Sequence, residues 1–180
     1  MAVEPGRPEA VRDVFHGSLI RVAVEKWPAG EREVVRHPGA CGVVPLTELD
    51  EVVLVRQFRE PIRELLLEIP AGVYDVAGEE PVECAARELL EETGLEGKLI
   101  TNPLGTIYTS PGFTDERIDL FLAVVEVPSG PVDGSDARRT EESIDVVVMP
   151  LADAVAAVQE GRIKDAKTAV AILLAAWRRS

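Results

Sequence analysis

The sequence predicts an α+β layered domain, and three observations carry that prediction. Two apolar runs of strand length, Ala40 to Leu46 and Val52 to Gln57, stand between turn residues. A single acidic helix follows, opened by Pro81 and stopped by Gly94. More strands come next, and two helices with apolar faces close the chain. At 180 residues and 46% apolar composition, the chain has the size and content of one folded domain with a sizeable core.

Taken in order, residues 1 to 13 read as a loose arm. Val14 to Trp27 alternates enough for a strand or two, and Glu31 to His37 for another, with Pro28-Ala29-Gly30 as the turn. This predicts a small N-terminal antiparallel sheet over residues 14–39, ahead of the main domain at 40–180. Phe15 and Trp27 have the faces to stack on a nucleobase, although aromatics there more often simply pack. Thr47 to Glu51 turns the first apolar run into the second, as a hairpin would. The second run ends in Arg56-Gln57-Phe58-Arg59. Arg56 and Arg59 suit a phosphate or ribose, with surface ion pairs as the plain alternative. Leu65 to Pro70 is a short strand whose one charge, Glu68, either pairs with an arginine or hydrogen-bonds a base or ribose.

Beyond the acidic helix, Lys98 to Tyr108 reads as a strand or two broken by Pro103 and Gly105. Thr109 to Arg117 is a turn rich in Pro, Gly and short polar residues, and Ile118 to Val125 is a strand. Residues 128 to 141 form a long polar linker. Ser143 to Met149 is a last strand. Helices then run from Pro150 to about Glu160 and from Asp165 to Arg178.

Charge and composition exclude several classes. A net charge of −13 argues against a nucleic-acid partner. No apolar run approaches the ~18 residues of a membrane span, and the first residues lack the apolar core of a secretion signal. Cys41 and Cys84 make no disulfide framework, so the cytoplasm is the expected compartment. Cys84 falls on the carboxylate side of the helix, where a small filler is the simpler role than a catalytic thiol.

The chemistry lies in residues 71–95. At about 100° per residue, Glu88, Glu91 and Glu92 share one arc of the helix, and Val82, Ala85, Ala86, Leu89 and Leu90 lie on the other side, which can be buried. Like charges so spaced repel by a few tenths of a kcal/mol, roughly 0.2–0.5 per pair. Clustered carboxylate oxygens are the ligands a hard cation takes. The alternative is a solvated acidic face with Arg87 paired to Glu91. Gly72 and Gly78 bracket the preceding turn, which lets Glu79 fold back towards the helix.

This stretch resembles the Nudix hydrolase signature, G-x5-E-x7-R-E-U-x-E-E-x-G-U, where U is aliphatic. Glu79, Arg87, Glu88, Leu89, Glu91, Glu92, Gly94 and Leu95 match it. Six residues rather than five separate Gly72 from Glu79, which reads as a one-residue loop insertion. The resemblance implies a mixed β-sheet sandwiched between α-helices, and an N-terminal sheet that pairs two subunits into a homodimer. It implies Mg²⁺, or Mn²⁺ in its place, held by Glu88, Glu91, Glu92 and the Ala71 carbonyl, with Arg87 steadying the glutamates. Ser110 to Glu116 further resembles the ADP-ribose pyrophosphatase branch, with Pro111 sixteen residues past Leu95. Pro111, Gly112 and Phe113 would then wall the substrate, Arg56, Arg59 and Glu68 would bind its nucleoside diphosphate, and Glu141 or Glu142 would orient the water. The implied reaction takes ADP-ribose to AMP and ribose 5-phosphate. Other nucleotide sugars or dinucleotides, a silent nucleotide-binding module, and a plain structural domain are the competing readings.

Overall fold

The computed structural model describes residues 6–127 and 144–179. The chain divides into two compact units. One holds the N-terminal strands and Tyr108–Arg117, and the other holds Ala40–Ile107 with Ile118–Ser180.

In the first unit, β1 (Ala10–His16), β2 (Arg21–Trp27) and β3 (Gly30–Arg36) form an antiparallel sheet in that order. β1 starts inside the stretch expected to be a loose arm. All seven of its residues are exposed, so no buried face imposed the alternation that marks a strand in sequence. The Val35 N–H donates to the Phe113 carbonyl at 2.8 Å, which binds the 108–117 segment to β3.

The second unit is a seven-stranded mixed sheet. It contains β4 (Ala40–Leu46), β5 (Glu51–Arg59), β6 (Glu64–Glu68), β7 (Ala71–Val73), β8 (Gly97–Tyr108), β9 (Arg117–Val125) and β10 (Asp145–Pro150). The main order is β10-β5-β4-β9-β8, with β4 parallel to β9 and β5 antiparallel to β10. Helix α1 (Pro81–Thr93) covers one face, where Cys84, Ala85 and Leu89 pack on Cys41, Val43, Val53 and Phe121. Helices α2 (Leu151–Gln159) and α3 (Ala166–Arg179) cover the other, where Leu151, Ala154, Ala171, Ile172 and Ala175 meet Val44, Leu46, Leu54 and Leu120. Burial on both faces explains why β4 reads as an unbroken apolar run.

Two expectations change. β8 is one continuous strand through Pro103 and Gly105; it ends the strand order, an edge position where a missing N–H is tolerated. The expected hairpin of β4 and β5 is paired in register only at Leu46 and Val52. Beyond that point β4 pairs with β7, from Ala40–Val73 to Gly42–Ala71, and β5 pairs with β6. The hairpin itself is present, closed by the Thr47 N–H donating to the Glu51 carbonyl at 2.9 Å.

Candidate active site

Helix α1 is anchored at both ends. Pro81 occupies the first turn, and the Glu83 carboxylate accepts the Glu80 backbone N–H at 3.0 Å, as in a capping box. Gly94 ends the helix at φ 69°, in the left-handed region, and its N–H donates to the Leu90 carbonyl. The buried stripe is Cys84, Ala85, Leu89 and Thr93. Ala86 and Leu90, expected on the buried side, are exposed. Glu88 lies one turn from Cys84 and Ala85, and Glu92 one turn from Glu88 and Leu89, so the helix carries carboxylates beside its apolar stripe.

Arg87 is the hub of the acidic cluster. Its Nε and Nη2 donate to the two Glu79 oxygens at 2.9 and 3.1 Å, and its Nη1 to Glu88 Oε1 at 2.5 Å and Glu91 Oε2 at 3.2 Å. Nη2 also reaches Asp75 Oδ1 at 3.4 Å. The Glu79 carboxyl is held below its ordinary range by the Arg87 hydrogen bonds. The longer loop therefore still brings Glu79 back to the helix. Among the described residues, no three acidic, imidazole or thiol groups converge as a finished coordination shell. Glu88 and Glu91 turn their oxygens to Arg87.

Glu92 has a different setting. Gln57 Nε2 donates to its Oε1 at 3.2 Å, and the Ala71 N–H donates to its Oε2 at 3.1 Å. Both donors are neutral. Burial pushes the Glu92 carboxyl up to about 7, and neighbouring Glu88 adds to the push. Burial likewise raises Glu88, against the pull of Arg87. Carboxylates desolvated beside one another are costly until a positive charge joins them, which suits a divalent cation. Gly72 gives a second sign of fit. A Cβ there would lie 2.0 Å from the Glu88 carboxyl carbon and from Oε1, so the missing side chain is the space Glu88 occupies. The carboxylates of Glu88, Glu91 and Glu92 and the Ala71 carbonyl are oxygen groups of the kind a divalent cation takes.

The other expected residues are spread around this centre. Arg59 Nε and Nη2 donate to the two Glu68 oxygens at 2.7 Å each, and Lys167 Nζ joins Glu68 from α3. Burial alone would raise the Glu68 carboxyl, but Arg59 and Lys167 outweigh it and hold it low. Of the two readings of Glu68, pairing with an arginine is the one seen. Arg56 meets Asp145 across β5 and β10 at 2.8 Å, in an exposed pair. Cys41 and Cys84 are buried with their Sγ atoms 2.8 Å apart. Their mutual hydrogen bond, then burial, raises the Cys41 thiol, which is the behaviour of packing residues rather than nucleophiles. Glu141 and Glu142 lie outside the described residues.

Pro111, Gly112 and Phe113 belong to the first unit. There they line a cavity of about 460 Å³ with Trp27, Val34 and Arg36. Glu25 is buried beneath it, accepting from Trp27 Nε1 at 3.0 Å and from Arg36. Asp115 Oδ2 accepts from Arg36 at 2.9 Å, and Oδ1 from the His37 N–H at 2.9 Å. Sequence reasoning passed over Gln57, Glu25, Arg36 and Asp115. Only Gln57 left a visible signal, a lone amide on a strand that is otherwise apolar on its buried side.

Fold and site together define a carboxylate-bearing helix laid on a mixed sheet, and the comparisons name its class. The NUDIX domain family matches residues 35–170, and the chain belongs to that family. Nudix hydrolases depend on divalent metal ions. Among its relatives, the ADP-ribose pyrophosphatase of Bacillus subtilis (strain 168) is 38% identical over 168 residues, covering 91% of this chain and 88% of the relative. The methanol dehydrogenase activator of Bacillus methanolicus is 37% identical over 88% of this chain and 86% of its own. The ADP-ribose pyrophosphatase of Mycobacterium tuberculosis (strain ATCC 25618 / H37Rv) is 37% identical over 73% and 62%. Among the described residues, no helix is long and apolar enough to cross a membrane.

Proposed function

We propose that this chain hydrolyses the pyrophosphate bond of ADP-ribose, giving AMP and ribose 5-phosphate, with Mg²⁺ as the cofactor and Mn²⁺ able to replace it. The observation that carries the reading is the pair of partly buried carboxylates, Glu88 and Glu92, set on α1 against Ala71 and Gly72. The named activity of the Bacillus subtilis and Mycobacterium tuberculosis relatives supports the substrate.

A bound divalent ion neutralises the phosphate oxygens and lowers the pKa of a coordinated water. The protein's own part is to place the ligands. Glu88 and Glu92 hold the ion, with Glu91 and the Ala71 carbonyl beside them. Arg87 ties Glu79, Glu88 and Glu91 into one geometry, a task for an outer partner of metal ligands. Arg59, oriented by Glu68, and Arg56 bind the diphosphate. Within the first unit, Pro111, Gly112, Phe113 and Trp27 line a cavity with apolar surface. Glu141 or Glu142 orients the attacking water. β1, exposed along its length with Val11, Val14 and Phe15 uncovered, pairs with a second copy to make a homodimer in the cytoplasm.

Product analysis tests this. The purified protein is incubated with Mg²⁺ and, separately, ADP-ribose, ADP-glucose, GDP-mannose and NADH, and the nucleotides are separated by chromatography. AMP forming fastest from ADP-ribose, and not at all with chelator, is the expected result. Faster cleavage of another substrate would overturn the specificity while keeping the chemistry, and no cleavage of any would overturn both.

A further inference from the structure

We propose that Gln57 is a positioning residue that fixes the Glu92 carboxylate for cation binding without lowering its charge; this rests on the metal-dependent reading above. Four acidic residues around α1, Asp75, Glu79, Glu88 and Glu91, direct oxygens to the one guanidinium of Arg87. Glu92 instead receives one neutral N–H on each oxygen, from Gln57 and from the Ala71 backbone. The difference matters chemically. A guanidinium both orients a carboxylate and offsets its charge, so a cation bound beside it gains less. An amide N–H orients the carboxylate and leaves the full negative charge for the incoming ion. With one lone pair on each oxygen taken, the rotation of the Glu92 carboxylate is fixed, and the remaining lone pairs have set directions.

The fold makes this arrangement specific to Gln57. β5 alternates, so Val53, Val55, Gln57 and Arg59 lie on one side of the strand, and Val53 packs in the cluster under α1. Gln57 is only 3% exposed and has no aqueous alternative for its amide. Arg56, the adjacent cation, lies on the other side of the strand, so Arg59, two residues on, is the same-side cation that could take its place. Glu68 engages Arg59 through both oxygens at 2.7 Å and so keeps it occupied. Neutral orientation of Glu92 therefore depends on Gln57 being an amide, and on Arg59 having its own carboxylate.

The test compares full-length wild type, Gln57→Met and Glu92→Gln. Met keeps the unbranched length of Gln and removes the donor. Mn²⁺ binding is followed by electron paramagnetic resonance in the absence of substrate, and thermal unfolding is measured with chelator present. The expected result is Mn²⁺ affinity about tenfold weaker for Gln57→Met, as for loss of an outer partner of a metal ligand, together with a lower unfolding midpoint, because Glu92 loses one of its two donors. A structural role alone would lower the midpoint and leave Mn²⁺ affinity unmoved, and that outcome overturns the proposal. If Gln57→Met does not fold, Gln57→Asn, whose amide is drawn back by one methylene, should show the same tenfold loss. Failure of both to fold also overturns it. Wild type that binds no Mn²⁺ would refute the metal-dependent reading itself. Wild-type binding lost in Glu92→Gln but intact in Gln57→Met refutes only this inference.

Discussion

Gly72→Ala separates the metal reading from a purely structural one. The added Cβ would sit 2.0 Å from the Glu88 carboxyl carbon and Oε1, and 2.5 Å from Oε2. Carbon and oxygen in contact need more than 3 Å, so Glu88 has to move by about 1 Å or more. The Glu88 carboxyl is the free end of a flexible side chain, so it swings away rather than forcing the helix off the sheet. The stability cost is accordingly near the lower end of overpacking, about 1 kcal/mol. The cost to catalysis is larger, because a reacting constellation displaced by 1 Å loses about a hundredfold in rate. The assay is AMP release from ADP-ribose at saturating Mg²⁺, run beside a thermal melt. Gly42→Ala is the control on the strand next door. Its Cβ would meet Ile69 Cδ1 at 2.9 Å and Leu120 Cδ2 at 3.4 Å, in the core and away from the carboxylates. That variant should lose stability and keep its rate. A Gly72→Ala protein that cleaves ADP-ribose at the wild-type rate would refute the argument that the Glu88 position is catalytic.

Other substitutions and conditions read the same charges. Glu92→Gln should lower the rate at least about a hundredfold, as loss of an electrostatic partner does, measured by the same AMP assay. Its stability effect has the opposite sign. Glu92 titrates near 4.5 when unperturbed and at about 7 when folded, so the folded state binds the proton more tightly. The ionised group costs nothing below the lower value, and its cost grows as pH rises through about 7, reaching on the order of 3 kcal/mol. With chelator present, denaturant melts should therefore show Glu92→Gln gaining on wild type as pH rises from about 4.5 to about 7, with the difference constant above that. Because Glu92 must shed its proton to take a cation, Mn²⁺ affinity of wild type should rise with pH up to about 7, measured by titration at several pH values. Glu68→Gln should destabilise the chain by about 3 kcal/mol at neutral pH, since it strips buried charge from Arg59 and Lys167. The folded Glu68 carboxyl is depressed, so this contribution is present above its ordinary range and disappears as pH falls through the folded value; denaturant melts in acid should show the two proteins converge.

The sequence exposed those parts of the molecule whose pattern is local. The ends of α1 were legible because Pro81 and Gly94 act on their own backbone, and β4 was legible because burial on both faces leaves an unbroken apolar run. The family signature located Arg87, Glu88, Glu91 and Glu92 by spacing alone. What stayed hidden depends on tertiary pairing. No sequence rule says that β4 meets β5 at Leu46 but pairs with β7 over Ala40–Gly42, yet that pairing accompanies the Ala71 N–H placed beside Glu92. The orientation of α1 was misjudged for a related reason. Ala86 and Leu90 look like core residues by composition, but the helix turns Glu88 and Glu92 inward and leaves those two in water.

Those pairings also resolve how a chain of net charge −13 handles a substrate that is itself an anion. Four arginines near the candidate sites are engaged by carboxylates. Arg87 serves Glu79, Glu88 and Glu91; Arg59 serves Glu68; Arg56 serves Asp145; and Arg36 serves Glu25 and Asp115. Their side-chain positive charge is thus largely spent on fixing acidic groups in place. Within the cluster on α1, the carboxylates outnumber the guanidinium that joins them, and burial raises two of them, Glu88 and Glu92. An anionic diphosphate approaching such a cluster is repelled until divalent ions reverse the local field. The acidic composition and the phosphate chemistry are therefore compatible. On the proposed reading the carboxylates would gather the cations, the arginines set the geometry of the carboxylates, and the affinity for substrate would follow the bound metal.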